Sequence, residues 1–189
     1  MLTSLPNILT LSRILAIPLI IGTFYVPGPE ARWVACVLFV IAAVTDFFDG
    51  YFARRSNSVS NLGRFLDPIA DKLLVSAVLL MLTAFGRLSL TQYSVLPALV
   101  ILLRELLVSG LREFLAELRV GMPVSALAKW KTGLQMTALP VLLVGSAAPL
   151  WLPAQAIGEV FLWGAAILTM ITGWDYLQAG LKHMHGPVP

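Results

Sequence analysis

The chain has 189 residues, 58% of them hydrophobic and only 12% charged, with a formal net charge of +3 at pH 7. Its mean hydropathy of +0.86 excludes an ordinary soluble domain, in which about 25% of residues are charged. The single cysteine, Cys36, excludes an intrachain disulfide, and two histidines, His183 and His185, are too few for a zinc cluster.

Crossing the ~30 Å hydrocarbon layer of a bilayer takes ~20 apolar residues in a helix, and the chain offers six such windows. The first, Asn7–Val26, carries Arg13 early and Pro18 in its middle. A proline is tolerated in a membrane helix whose neighbours satisfy the freed carbonyl. No small-residue cleavage site follows, so the window reads as a retained segment rather than a signal peptide. Asn7, Thr10 and Arg13 recur every three residues on one face. They are placed to meet a nucleotide or headgroup, or equally to cap and anchor the helix.

The second window, Trp33–Ala53, is uncharged only as far as Thr45, and the third, Asp67–Phe85, only after Lys72. One half of each suits lipid, while the other must face protein, water or a ligand. Between those halves runs TDFFDGYFARRSNSVSNLGRFLDPIADK. Asp46 and Asp49, three apart, share a helix face that Gly50 and Ala53 continue with almost no side chain. Asp67 and Asp71 are four apart. Pro68 is favoured at a first helical position, which makes Asp67 the expected N-cap and puts Gly63 in the loop before it.

Four carboxylates gathered near a membrane boundary repel one another unless cations lie among them. Hard divalent ions such as Mg²⁺ or Mn²⁺ suit an all-oxygen set. The competing account makes these residues caps and surface charges paired with Arg54, Arg55, Arg64 and Lys72.

The last three windows are Thr91–Leu107, Lys131–Gly145 and Ile157–Leu177. Breaks are marked by Pro27-Gly28-Pro29, Gly86, Gly121, Pro123, Pro149 and Pro153. In LLRELLVSGLREFLAELRVG, Glu105, Arg112 and Arg119 repeat every seven residues with Ser109 between the first two, and Arg104 lies to one side. Lys129 and Lys131 open the next segment, KWKTGLQMTAL. Such cations at a helix end suit a phosphate. Structural pairs Glu105–Arg112 and Glu113–Arg119, with the lysines as headgroup anchors, would explain the same residues. Trp33, Trp151, Trp163 and Trp174 read as interfacial belts and packing.

Six spans leave Arg32 and Arg87 on one side and the other eleven of the 13 basic residues opposite. The positive-inside rule then puts both termini and the aspartate segment in the cytoplasm. No basic patch accompanies a soluble recognition module, which argues against nucleic acid. With no repeat and no composition break, residues 1–189 read as a single domain. The expected fold is an all-α integral membrane protein of six transmembrane helices with a cytoplasm-facing polar cavity.

Asp46-x2-Asp49-Gly50-x2-Ala53-Arg54-x8-Gly63-x3-Asp67-x3-Asp71 resembles the full signature of the CDP-alcohol phosphatidyltransferase family. The resemblance implies a six-helix membrane enzyme, usually a homodimer, that moves a phosphatidyl group from a CDP-linked lipid to an alcohol and releases CMP. It implies that Asp46, Asp49, Asp67 and Asp71 hold two Mg²⁺ or Mn²⁺ ions and that Asp71 takes the alcohol's proton. Gly50, Ala53, Arg54 and Gly63, with Asn7, Thr10 and Arg13, fall on the CDP-lipid side.

LPNILTLSRI, RELLVSGLRE and KWKTGLQM are similar to the bacterial branch of that family whose acceptor is sn-glycerol 3-phosphate. That likeness implies CDP-diacylglycerol as donor, membrane lipids around the chain, and a place in the bacterial inner membrane. The acceptor's phosphate would be held by Arg104, Arg112, Lys129 and Lys131. Ala128 departs from the glycine usual before the first lysine. Competing readings are the same chemistry on phosphatidylglycerol, inositol phosphate or serine, and a cation transporter with an aspartate-lined path.

Overall fold

The structure, a computed structural model, describes residues 5–56, 61–117 and 126–184, and every side chain within them except those of 5–8, 46–56, 61–65, 67–68, 117 and 182–184. The described residues form six α-helices: α1 (Leu5–Thr23), α2 (Pro29–Ser56), α3 (Asn61–Ala84), α4 (Leu96–Glu117), α5 (Ala126–Val144) and α6 (Ala154–Met184). A single 3₁₀ turn, Gly145–Ala147, follows α5. Each apolar window of the sequence falls within one helix or overlaps most of it. With 28 and 31 residues, α2 and α6 reach about 42 and 46 Å at 1.5 Å per residue, more than the hydrocarbon depth.

Among the described residues, α6 over Ala154–Leu181 is the helix long and apolar enough to cross a membrane. The other long helices are divided: α2 becomes charged from Asp46, α3 is charged up to Lys72, α4 becomes charged from Arg104, and α5 is charged up to Lys131. Lys72 of α3, Arg104 and Arg112 of α4 and Lys129 and Lys131 of α5 line one cavity, so the charged halves of these three helices gather at one end of the bundle. The fold therefore separates an apolar shaft from a polar end.

The shaft is tightly packed. α5 lies along α6 and α2, α6 also packs on α4, and α1 lies on α2 and α3. Phe39, Leu79, Leu82, Ile101, Leu139 and Leu142 are fully buried in this core. A Cβ at Gly158 would come 2.6 Å from Leu142 Cγ, and one at Gly180 would come 2.7 Å from Leu111 Cδ1. Small residues thus let α6 approach α5 and α4 closely, the device that membrane helices use where no hydrophobic force drives association. Outside, Leu15, Leu19, Ile41, Leu80, Leu106 and Ile167 are more than half exposed. In water this skin would be an aggregation-prone patch, whereas lipid solvates it.

Pro18 lies inside α1 and Pro140 inside α5. The same tolerance corrects one expectation. Helix α3 begins at Asn61, so Asp67 is not an N-cap, and Gly63 lies in the helix's first turn rather than in a preceding loop. Pro68 lacks an N–H and forfeits one helical bond. Starting the helix about two turns earlier still pairs more peptide groups than an extended approach would, which decides the matter near a membrane.

Loops 24–28, 85–95 and 145–153 close the opposite end. Gly86 (φ 62°) and Gly145 (φ 46°) take the left-handed conformation that terminates α3 and α5. Glu159, buried at the start of α6, accepts hydrogen bonds from Ser89 N (2.8 Å), Leu90 N (2.9 Å), Gln155 Nε2 (2.8 Å) and Ser94 Oγ. One carboxylate thereby pins the α3–α4 loop to α6. Arg87 stacks 4.1 Å from the Phe24 ring centre. Burial, with Arg32 nearby, pushes its guanidinium down to about 10.

Candidate active site

A cavity of about 1090 Å³ opens among the polar halves of α3, α4, α5 and α6. Among the described residues five cations line it, Lys72, Arg104, Arg112, Lys129 and Lys131, against three carboxylates, Asp71, Glu105 and Glu113. This excess of positive charge, set in walls made largely of apolar side chains, is the field that draws in and holds an anion.

Four of these cations, Lys72, Arg104, Arg112 and Lys131, are held in place from several helices. Glu105 Oε1 accepts from Arg104 Nη1 at 3.0 Å and from Lys131 Nζ, joining α4 to α5. Arg104 Nη2 donates to Thr172 Oγ1 at 3.1 Å, and Arg112 Nη2 to the Tyr176 hydroxyl at 2.9 Å, joining α4 to α6. Both guanidinium groups also lie against the Tyr176 ring, their Cζ atoms 5.6 and 5.0 Å from its centre. Gly173 completes this cradle, since a Cβ there would come 3.0 Å from Arg104 Cγ. Lys72 Nζ donates to Ser109 Oγ, joining α3 to α4. Lys129 makes no hydrogen bond or ion pair among the described residues and lies exposed at the cavity.

A second cavity, about 420 Å³ and mostly apolar, is lined by Phe39, Val40, Ala43 and Val44 of α2, Thr132 and Met136 of α5, and Asp71. Asp71, Thr132 and Met136 border both cavities. The carboxylate of Asp71 therefore stands where a cationic, water-accessible chamber meets an apolar groove.

Arg104, Arg112, Lys129 and Lys131, the four cations proposed from the sequence for the acceptor's phosphate, all line the large cavity. Arg104 faces the same chamber as the Glu105 stripe although it lies to one side in the helical projection. Glu105 bonds Arg104 and Lys131 rather than forming the expected alternative pair with Arg112, which turns to Tyr176. Thr10 and Arg13 are completely buried on the inner face of α1. Asp46, Asp49, Gly50, Ala53 and Arg54 lie on α2, and Gly63 and Asp67 on α3; their side chains, and that of Asn7, lie outside the described residues, as does Arg119. Among the described residues no group of three potential ligands forms a metal centre.

Sequence reasoning missed the contribution of α6. Thr169, Thr172 and Tyr176 fall at three- and four-residue spacing on an otherwise apolar helix and are all buried. That polar stripe was the available signal. Gln135, one turn beyond Lys131 on the buried face of α5, was also passed over.

A bundle with an apolar skin and a one-ended cationic chamber beside a carboxylate defines a membrane-embedded helical protein built around an anionic substrate. The chain belongs to the CDP-alcohol phosphatidyltransferase family, whose model matches residues 3–171. Members of this family are integral membrane enzymes, metal-dependent in general. The chain is similar to proteins named CDP-diacylglycerol--glycerol-3-phosphate 3-phosphatidyltransferase. The Rickettsia bellii protein is 53% identical over 180 residues, covering 95% of this chain and 97% of its own length. Those of Salmonella choleraesuis and Cereibacter sphaeroides are 39% and 38% identical, covering 93% and 96% of this chain and 94% and 97% of their own lengths.

Proposed function

We propose that this chain transfers the phosphatidyl group of CDP-diacylglycerol to sn-glycerol 3-phosphate, giving phosphatidylglycerophosphate and CMP in phospholipid synthesis. The observation that carries the reading is the position of Asp71 between a cationic chamber and an apolar groove. One substrate is a small soluble anion and the other a lipid, and they must meet at a base. The names of the similar proteins support the same pair of substrates.

The acceptor's phosphate binds to Arg104, Arg112, Lys129 and Lys131, two of which offer planar forks of donors and two point charges. Its primary hydroxyl then lies toward Asp71. That oxygen forms a bond to the β-phosphorus of the lipid's pyrophosphate, the bond from that phosphorus to CMP breaks, and Asp71 receives the hydroxyl proton. Holding both reactants in one enclosed geometry accounts for much of the acceleration.

Asp46, Asp49, Asp67 and Asp71 would hold divalent metal, Mg²⁺ or Mn²⁺, two ions per site. Asp71, whose side chain is described, fits such a group: it offers hard oxygen donors, and among the described residues no soft ligand lines either cavity apart from the thioether of Met136. When bound, the ions neutralise charge on the pyrophosphate and on departing CMP. Asn7, Thr10, Arg13, Gly50, Ala53, Arg54 and Gly63 take the CDP-lipid side. Residues 1–189 form one domain of six membrane-crossing helices with the chamber and both termini in the cytoplasm. It sits in the bacterial inner membrane as a homodimer.

The test uses the full chain purified in detergent with Mg²⁺ or Mn²⁺. CMP release should require CDP-diacylglycerol and glycerol 3-phosphate together. Release with phosphatidylglycerol, inositol phosphate or serine instead would overturn the acceptor, and silence with every alcohol would overturn the chemistry.

A further inference from the structure

The buried face of α5 is a stripe of Lys131, Gln135, Ala138, Leu139 and Leu142. Deep in the bundle it is aliphatic, and at the site end it turns polar. Lys131 has its counter-charge in Glu105. Gln135 has nothing comparable: it is 5% exposed, it lines the large cavity, and its Oε1 is buried with no hydrogen-bond partner. Buried side-chain amides are nearly always satisfied, and an orphan beside a cavity marks a place where a ligand supplies the missing group.

Position defines what that ligand group is. Gln135 follows Lys131 by one helical turn, about 6 Å of rise. Thr132 and Met136, its neighbours on the same helix, line the second cavity together with Asp71. The amide itself lines the chamber that holds both the cation cluster and Asp71.

We infer that Gln135 is a specificity-determining residue that recognises the middle hydroxyl of the acceptor, an inference that rests on the reading of glycerol 3-phosphate as that acceptor. The three functional groups of the molecule, phosphate, secondary hydroxyl and primary hydroxyl, then each have a partner in the one chamber, the cations around Lys131, the Gln135 amide and Asp71. A hydroxyl both donates and accepts, so it satisfies the amide in either orientation of its oxygen and nitrogen. An acceptor without that hydroxyl leaves the amide unsatisfied and binds less well.

The experiment compares glycerol 3-phosphate with 3-hydroxypropyl phosphate, the same skeleton lacking the middle hydroxyl, in CMP-release assays of the full chain. Wild type should favour the natural acceptor by about tenfold or more in kcat/KM, the scale of one lost buried hydrogen bond. Gln135→Met, close in shape but apolar, should bring that ratio near one while weakening use of glycerol 3-phosphate. Should this variant fail to fold, Gln135→Asn, which withdraws the amide by one methylene, should reduce the ratio in the same direction. A wild type that does not discriminate, or a variant that keeps the full ratio, overturns the inference and leaves the reaction standing. A wild type that turns over neither acceptor removes the functional reading and this inference with it.

Discussion

At the loop end of the bundle four donors converge on the single buried carboxylate of Glu159, whereas at the site end, among the described residues, five cations share three carboxylates around an open chamber. Both ends face the same difficulty, polar groups placed against an apolar shaft. One resolves it by gathering its donors on a carboxylate of the chain's own, Glu159. The other leaves charge and one amide oxygen unbalanced and holds the cations in position from neighbouring helices. The difference teaches where function lies: a closed network stabilises, and an incomplete one waits for substrate.

Asp71→Asn should break the site end most severely. It removes the proposed proton acceptor and metal ligand while keeping the side chain's shape, and general-base loss costs about 10²–10⁴ in rate. CMP release at saturating substrates measures it. A rate within a few-fold of wild type would show that another group takes the proton.

Glu159→Ala tests the opposite end. It strands Ser89 N and Leu90 N and takes one acceptor each from Ser94 Oγ and Gln155 Nε2. Leaving buried donors unsatisfied costs about 1–3 kcal/mol, so the apparent melting temperature in detergent should fall by roughly 5–10 °C. The KM for glycerol 3-phosphate in the folded fraction should hold. A selective rise in that KM would mean that the two ends are coupled rather than separate.

Arg112→Lys sharpens the comparison within the chamber. The charge survives, but the planar fork and its bond to Tyr176 do not. The KM for glycerol 3-phosphate should rise about tenfold, equivalent to ~1.4 kcal/mol, with the KM for CDP-diacylglycerol little changed. An equal rise in both would place Arg112 outside the acceptor's subsite.

How much of this was legible in the sequence follows from the kind of signal each feature leaves. Apolar windows revealed all six helices, because burial and lipid impose length and composition together. The α4 and α5 cations were legible for a similar reason: Glu105, Ser109 and Arg112 recur at three-, four- and seven-residue spacing, and a charge in such a chain is conspicuous. The start of α3 was misread because Pro68 is a strong local signal, and tertiary surroundings outweighed it. Partnerships between helices left no trace. That Glu105 joins Lys131, or that Arg112 turns to Tyr176, depends on which helices become neighbours, and no spacing within one helix encodes that. Tyr176 and Thr172 escaped notice because tyrosine and threonine are unremarkable in a membrane helix until a guanidinium lies against them.

Tyr176→Phe carries the smallest expected effect and separates the two halves of the α6 cradle. Phenylalanine keeps the ring against which both Arg104 and Arg112 lie, and removes only the hydroxyl that accepts from Arg112 Nη2. A hydrogen bond of this kind contributes about 0.5–1.5 kcal/mol net. Its loss should raise the KM for glycerol 3-phosphate about threefold, with kcat and the KM for CDP-diacylglycerol nearly constant. Tyr176→Ala removes the ring as well, freeing both guanidinium groups to sample other rotamers, and should raise the same KM by a further several-fold. If Tyr176 serves only as filler between α4 and α6, the alanine variant lowers stability and disturbs both substrates together, while phenylalanine does nothing. A graded Tyr, Phe, Ala series confined to one substrate's KM is the signature of a residue that aims two arginines, and it distinguishes the held cations of the site end from the closed network around Glu159.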